Sequence, residues 1–251
     1  MRAWFISDLH LRDINERNSI LLLRFLRSLL KDSETTHLFL LGDIFDLWIG
    51  DSEVFQKKFQ ELVDVLVELK RKGVEIVYFE GNHDVHVKGF WENKLGIPVF
   101  VDAQIYQLKN FKVRLEHGDF INPNDTAYLK YRNFIRKPSL EKVAYLLPGR
   151  LLDEVGLFSS KLSRKKSSVR RRNNLESLRV MIRDYAQEKI KETDFDYIIT
   201  GHMHVRDEFE FAVAGKKKIS INLGSWFETP KALCLTEKGT SWVDLVPSSH
   251  L

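Results

Sequence analysis

"VEIVYFEGNHDV" (residues 74–85) runs from an apolar segment through Glu80 and Gly81 into an amide, an imidazole and a carboxylate at Asn82, His83 and Asp84. "VEIVYF" reads as a buried strand of a β/α alternation. Three polar side chains at its exit describe either an ordinary turn or the rim of a site, because Asn and Asp are also common turn residues. The other strand exits decide. "RAWFIS" (2–7) leads to Asp8 and His10, "HLFLL" (37–41) to Asp43, "VRLEHGD" (113–119) to His117 and Asp119, and "YIITGHMH" (197–204) to His202 and His204. Five of the eight histidines stand at these exits, which scattered histidines would not do.

Between the first strands lie helical patterns, "NSILLLRFLRSLL" (18–30) and "VFQKKFQELVDVLVELKRKG" (54–73). Strand and helix in strict alternation predict an α/β fold with parallel strands joined by crossover helices. In such sheets ligand sites gather at the carboxyl ends of the strands. From about residue 98 hairpin signals take over. "AQIYQL" and "FKVRLEH" flank Lys109 and Asn110, "DEFEFAVA" and "KKKISINLG" flank Gly215, and "ALCLT" and "SWVDLV" flank Lys238 and Gly239. These predict a second, mixed or antiparallel sheet. Residues 122–192 read as helical and interrupt that strand set, so a helical lid inserted into one domain of 251 residues is expected.

The spacings carry chemistry. In Asp8-x-His10 and His202-x-His204 the partners are two residues apart, so extended backbone would project both from one side. Carboxylate, amide oxygen and imidazole form a ligand set suited to Mn, Fe, Zn or Co. Asp8, His10, Asp43, Asn82, His117, His202 and His204 are too many for one ion, whereas two ions sharing one bridging carboxylate would use them all. Two divalent ions roughly 3.5–4 Å apart acidify a water and stabilise an in-line displacement, which points to phosphoester or phosphoanhydride hydrolysis.

In this order D-x-H, G-D, G-N-H-D, an H-G-D strand end and G-H-x-H resemble the calcineurin-like metallophosphoesterase superfamily. The resemblance spans residues 8–204 and implies a four-layer αββα sandwich. It implies a first metal held by Asp8, His10, Asp43 and His204, and a second held by Asp43, Asn82, His117 and His202. His83, held by Asp84, would face the scissile phosphate as charge stabiliser or acid. Manganese is the first choice of ion, with iron or zinc compatible. "LGDIFDLWIGD" (41–51), "HGDFINPNDTAYLKYRNFIR" (117–136) and "LGSWFE" (223–228) look like the UDP-2,3-diacylglucosamine hydrolases of lipid A synthesis, which release UMP and a diacylated sugar phosphate. That likeness implies Trp48 and Asp51 beside the first metal, and Asp125 and Tyr128 near the glucosamine or nucleotide. His83 departs from it, since those enzymes carry G-N-R-D. Metallophosphoesterases of other specificity, including lipid-nucleotide pyrophosphatases, cyclic-nucleotide phosphodiesterases and nucleases, and a non-catalytic scaffold, are the competing readings.

Composition bounds the rest. A net charge of +4, with 43% hydrophobic and 29% charged residues, fits a globular protein whose substrate is anionic, and no nucleic-acid partner is expected. Cys234 is the lone cysteine, which excludes an intrachain disulfide and a thiolate cluster. With no signal-peptide pattern in "MRAWFI", a cytoplasmic protein is expected. Lys161, Arg164, Lys165, Lys166, Arg170, Arg171 and Arg172 form a basic run beside apolar "YLLPGRLLDEVGLF" (145–158). The pair predicts a peripheral, interfacial membrane contact, with Arg164 and Lys165 meeting substrate phosphates or anionic lipid heads; the likeness to the UDP-2,3-diacylglucosamine hydrolases implies that the substrate is an anionic lipid-nucleotide and the surface that of the inner membrane. Trp48, Trp226 and Phe227 read as core aromatics by the usual fate of such residues; Trp48, in the loop behind Asp43, reads instead as a pocket wall, and Trp226 is left open between the two.

Overall fold

The computed structural model describes residues 1–140, 142, 175–227 and 229–246. In chain order the elements are β1 (Arg2–Ile6), α1 (Arg17–Leu29), β2 (Thr35–Leu41), β3 (Trp48–Ile49), α2 (Glu53–Lys58), α3 (Gln60–Arg71), β4 (Glu75–Phe79), β5 (Asp84–Val85), α4 (Lys88–Trp91), β6 (Val99–Phe100), β7 (Gln104–Leu108) and β8 (Phe111–Leu115). They continue with α5 (Thr126–Ile135), α6 (Leu175–Glu192), β9 (Tyr197–Thr200), β10 (Asp207–Val213), β11 (Lys216–Asn222), β12 (Lys231–Thr236) and β13 (Gly239–Asp244).

The first sheet has the order β13-β12-β1-β2-β4-β6, with β1, β2, β4 and β6 parallel. The second has the order β10-β11-β9-β8-β7. Its centre, β8-β9-β11, is parallel, and its edges are antiparallel hairpins. The alternation of side chains along β1 explains the layers. Trp4 and Ile6 pack with Leu22 and Leu26 of α1 and Leu62, Leu66 and Leu69 of α3. Ala3 and Phe5 join Phe39, Val77, Leu115, Ile199 and Ile221 between the sheets. On the far side Ala186 of α6 packs with Ile198 and Phe211. Helices, sheet, sheet and helix make the four-layer αββα sandwich.

Two details differ from expectation. The hairpin β12–β13 joins the first sheet, where β12 pairs antiparallel with β1, rather than extending the second. The single helix expected over 54–73 is two, because the chain leaves helical geometry at Phe59 (φ −116°, ψ 24°), whose ring packs on Phe45 and Trp48. Of the lid expected over 122–192, α5 and α6 are seen. Residues 141 and 143–174, including Arg164, Lys165 and the rest of the basic run, lie outside the described residues.

Phe39 stacks on Phe5 at 5.0 Å and meets Tyr106 edge-on at 4.9 Å, fully buried between the sheets. Phe39→Ala is therefore expected to cost about 3–5 kcal/mol in urea unfolding. Phe134→Ala, at a position 52% exposed, should stay within about 0.5 kcal/mol of the parent.

Candidate metal centre

Strand ends of both sheets meet at one place because their parallel strands deliver their carboxyl ends to the same rim. Asp8, His10, Asp43 and His204 bring ligand atoms within 4.8 Å of one another, and so do Asp43, His117 and His202. Asp43 belongs to both clusters. Its Oδ1 accepts from the amides of Asn82 (2.8 Å) and His83 (2.9 Å). Its Oδ2 faces His10 Nε2 at 3.8 Å and His117 Nε2 at 3.6 Å, one histidine from each cluster.

Asp8 and His10 converge by a route that strand periodicity does not supply. Asp8 (φ 54°), His10 (φ 51°), Asp43 (φ 52°), His202 (φ 66°) and His204 (φ 56°) all adopt left-handed backbone, so tight turns rather than extended alternation aim these side chains. Such conformations cost non-glycine residues about 1–3 kcal/mol each and persist where the surroundings over-determine them. Cross-links between the strand exits do so here. Asp8 N donates to Gly42 O, His10 N to Asp43 O, and His202 N to the Asp8 carboxylate at 3.0 Å. Gly81 and Gly201 allow the close approach, since a Cβ at the first would strike the Asp43 carboxylate and at the second the Asp8 carboxylate.

Asp84 was expected beside His83, but its buried carboxylate is turned away. It accepts from Asp43 N (3.0 Å), Ile44 N (2.8 Å), Gly81 N (2.7 Å) and Tyr78 Oη (2.6 Å). Burial and the neighbouring Asp43 charge push its acid up to about 6. His83 instead has Nδ1 2.8 Å from Asp46 O. A carbonyl only accepts, so Nδ1 carries the proton and Nε2 is left for the site, where the ring lies edge-on to His10 at 4.8 Å.

The donor set fits divalent cations. His117 Nδ1 donates to Leu41 O at 2.8 Å, which turns its Nε2 inward. That nitrogen faces His202 Nδ1 at 3.3 Å, and His10 Nε2 faces His204 Nε2 at 3.1 Å. Burial opposes charge on His117, but Asp43, Asp119 and Asp8 outweigh it and push the imidazole up to about 9. Burial and that neighbour push His202 down to about 4. Burial likewise opposes the Asp8 carboxylate, which His204 and His117 nevertheless hold below its ordinary range. Facing nitrogens in a field that draws positive charge could hold one ion in each cluster.

Other residues singled out in the sequence fare differently. Trp48 is no pocket wall: fully buried, it donates to Gly50 O and packs among Phe45, Phe55, Phe59, Phe90 and Trp91. Asp51 binds Lys94 (2.7 Å) and Gln56 (2.6 Å). Asp125 caps α5 by accepting from Tyr128 N. Tyr128 does reach the centre, with its ring 4.7 Å from that of His202. Trp226 is core, while Phe227, 39% exposed, stacks on His10 at 5.2 Å. Sequence reasoning did not assign Phe227 to the site; its signal was a position close behind Gly224 at the exit of β11. Arg132 and Arg136 were also missed. The first donates to Asp119 at 2.6 Å and the second to Gly81 O at 2.8 Å.

Gly81→Ala is expected to keep its far-UV circular dichroism yet weaken Mn2+ binding at least about tenfold in calorimetric titration, as disturbance of a ligand's support typically does. Parent-like binding would show that Asp43 need not stand where it does.

The calcineurin-like phosphoesterase family profile matches residues 1–206. A UDP-2,3-diacylglucosamine hydrolase of Haemophilus influenzae (strain PittGG) is 28% identical over 202 residues, 80% of this chain and 82% of its own length. One from Photorhabdus laumondii is 27% identical over 251 residues, 98% of each chain. A solved archaeal phosphodiesterase is 14% identical with TM-score 0.48, covering 97% of this chain and 99% of its own. The ordered strand-exit motifs, the cation-ready clusters that share Asp43 and the family match over most of its length lead to one conclusion: this chain belongs to the calcineurin-like phosphoesterase family and is a metal-dependent hydrolase of phosphoric esters or anhydrides.

Proposed function

We propose that this chain hydrolyses the pyrophosphate of UDP-2,3-diacylglucosamine, giving UMP and 2,3-diacylglucosamine 1-phosphate. The observation that carries the proposal is the reach of the similarity: enzymes named for that substrate align with 80% and 98% of the chain. In the reaction a water oxygen bonds to one phosphorus and the bridging P–O bond breaks. Asp8, His10, Asp43 and His204 would hold one divalent cation, and Asp43, Asn82, His117 and His202 a second; manganese is the proposed ion. Bound cations supply charge that polarises a phosphoryl oxygen and acidifies water.

The chain's own groups do the remaining work. Asp43 would serve both cations: two amides immobilise its Oδ1, and its Oδ2 faces one histidine of each cluster. His83, fixed through Nδ1 to Asp46 O, presents Nε2 to the phosphate and, when protonated, donates to the departing oxygen. Phe227 covers one face of His10 and shields it from water. Phe120, Tyr131 and Phe134 are exposed around α5 and offer an apolar surface to acyl chains at the cytoplasmic face of the inner membrane. Among the described residues no helix is long and apolar enough to cross a membrane. Arg164 and Lys165 remain proposed partners of substrate anions.

Mn2+-loaded protein should release UMP from UDP-2,3-diacylglucosamine in a chromatographic assay. Asn82→Ala should lose activity together with cation content, whereas His83→Ala should lower kcat about a hundredfold with cation content intact. Cleavage of bis(p-nitrophenyl) phosphate or single-stranded DNA without any UMP release would reassign the substrate.

A further inference from the structure

Aromatic side chains flank the centre on two sides, and the two flanks differ. Beside the second cluster stands α5, whose Tyr128 meets His202 and around which Phe120, Tyr131 and Phe134 are spread, each exposed. Beside the first cluster stands one ring, Phe227. It lies parallel to His10, with 5.2 Å between centroids and 11° between planes, and meets His204 edge-on at 6.2 Å. Among the described residues no other ring lies against it, and at 39% exposure the face turned from His10 is open to solvent.

A single exposed phenylalanine calls for no explanation on its own. The backing of this one does. Ser225 Oγ donates to Asp8 O at 3.2 Å and accepts from Phe227 N at 3.2 Å. Trp226 is buried and donates its indole N–H to Lys231 O at 3.1 Å. Arg206 donates to Thr229 Oγ1 at 2.7 Å and to Thr229 O at 2.9 Å. The chain is thus pinned on both sides of Phe227. A ring with a fixed backbone and one face resting on His10 loses little freedom when a ligand arrives, and such a preordered flat surface suits a flat ligand. Rings scattered around a helix suit flexible chains instead.

A nucleotide carries its phosphate and its base one ribose apart. A phosphoryl group bound at the cations therefore brings its base within reach of a ring that abuts His10 and His204. We propose that Phe227 is a specificity-determining residue whose open face stacks on the nucleobase of the substrate, setting the nucleotide end over the first cluster and the acyl end toward α5. The inference rests on the proposed lipid-nucleotide substrate. Stacking of a base on an aromatic side chain supplies roughly five- to 150-fold in affinity.

The test uses the full chain loaded with Mn2+ and compares, by calorimetry, UMP with ribose 5-phosphate, which keeps the sugar and phosphate but lacks the base. The parent should bind UMP at least about fivefold more tightly than ribose 5-phosphate. Phe227→Leu should remove that advantage and leave ribose 5-phosphate binding unchanged, whereas Phe227→Tyr, which restores a ring, should retain it. With UDP-2,3-diacylglucosamine the loss in Phe227→Leu should fall mainly on KM. Equal weakening of both ligands would reduce Phe227 to a support for His10 and overturn the proposal, as would UMP binding that Phe227→Leu leaves untouched. Weakened binding of 2,3-diacylglucosamine 1-phosphate with UMP unaffected would give the ring to the acyl chains and overturn it too. If the parent releases no UMP from the lipid nucleotide, the substrate reading fails; a base advantage that still depends on Phe227 upholds the stacking role for a different nucleotide.

Discussion

Four donors converge on the buried carboxylate of Asp84: the amides of Asp43, Ile44 and Gly81, and the hydroxyl of Tyr78. A buried carboxylate left unpaired would be costly, and one so fully bonded makes its surroundings rigid. Here it joins the exits of β2 and β4 into one unit. The parallel pairing of β3 with β5, Trp48 opposite Asp84, adds a second tie. With that unit fixed, the amides of Asn82 and His83 take one oxygen of Asp43 and leave the other between the two histidine clusters.

The centre is held under strain by the layers beneath it. Five of its residues occupy left-handed backbone, a combined cost of several kcal/mol. The apolar layers on both faces of the first sheet oppose that cost, and the cross-links among strand exits leave the turns no relaxed alternative. This is the expected division of labour when a protein departs from local preference at its functional site.

Much of the fold was legible because both faces of the central strands are buried, so they read as unbroken apolar runs. The hairpin β12–β13 was recognised and put in the wrong sheet, since a two-residue period specifies a strand's faces but not the edge it pairs with. Trp48 was misjudged for a related reason. Its burial is made by Phe55, Phe59, Phe90 and Trp91, which come from separate segments. Phe227 and Arg136 acquire their place only when distant turns and α5 close around the strand ends.

By itself the sequence determined the alternation of parallel strands and helices in the first half, the chemistry at each strand exit, and the expectation that carboxylates, an amide and imidazoles converge on a hydrolytic centre. These are consequences of local pattern, since residue type and position along a strand are properties of the chain alone. Tertiary structure decided which partner each polar group takes: Asp84 on Tyr78 and three amides, His83 on Asp46, and Tyr128 on Asp119 and Asn82. Hydrogen-bond partners depend on distances of about 3 Å between residues up to 41 positions apart around Asp84, and only the closed fold sets such distances.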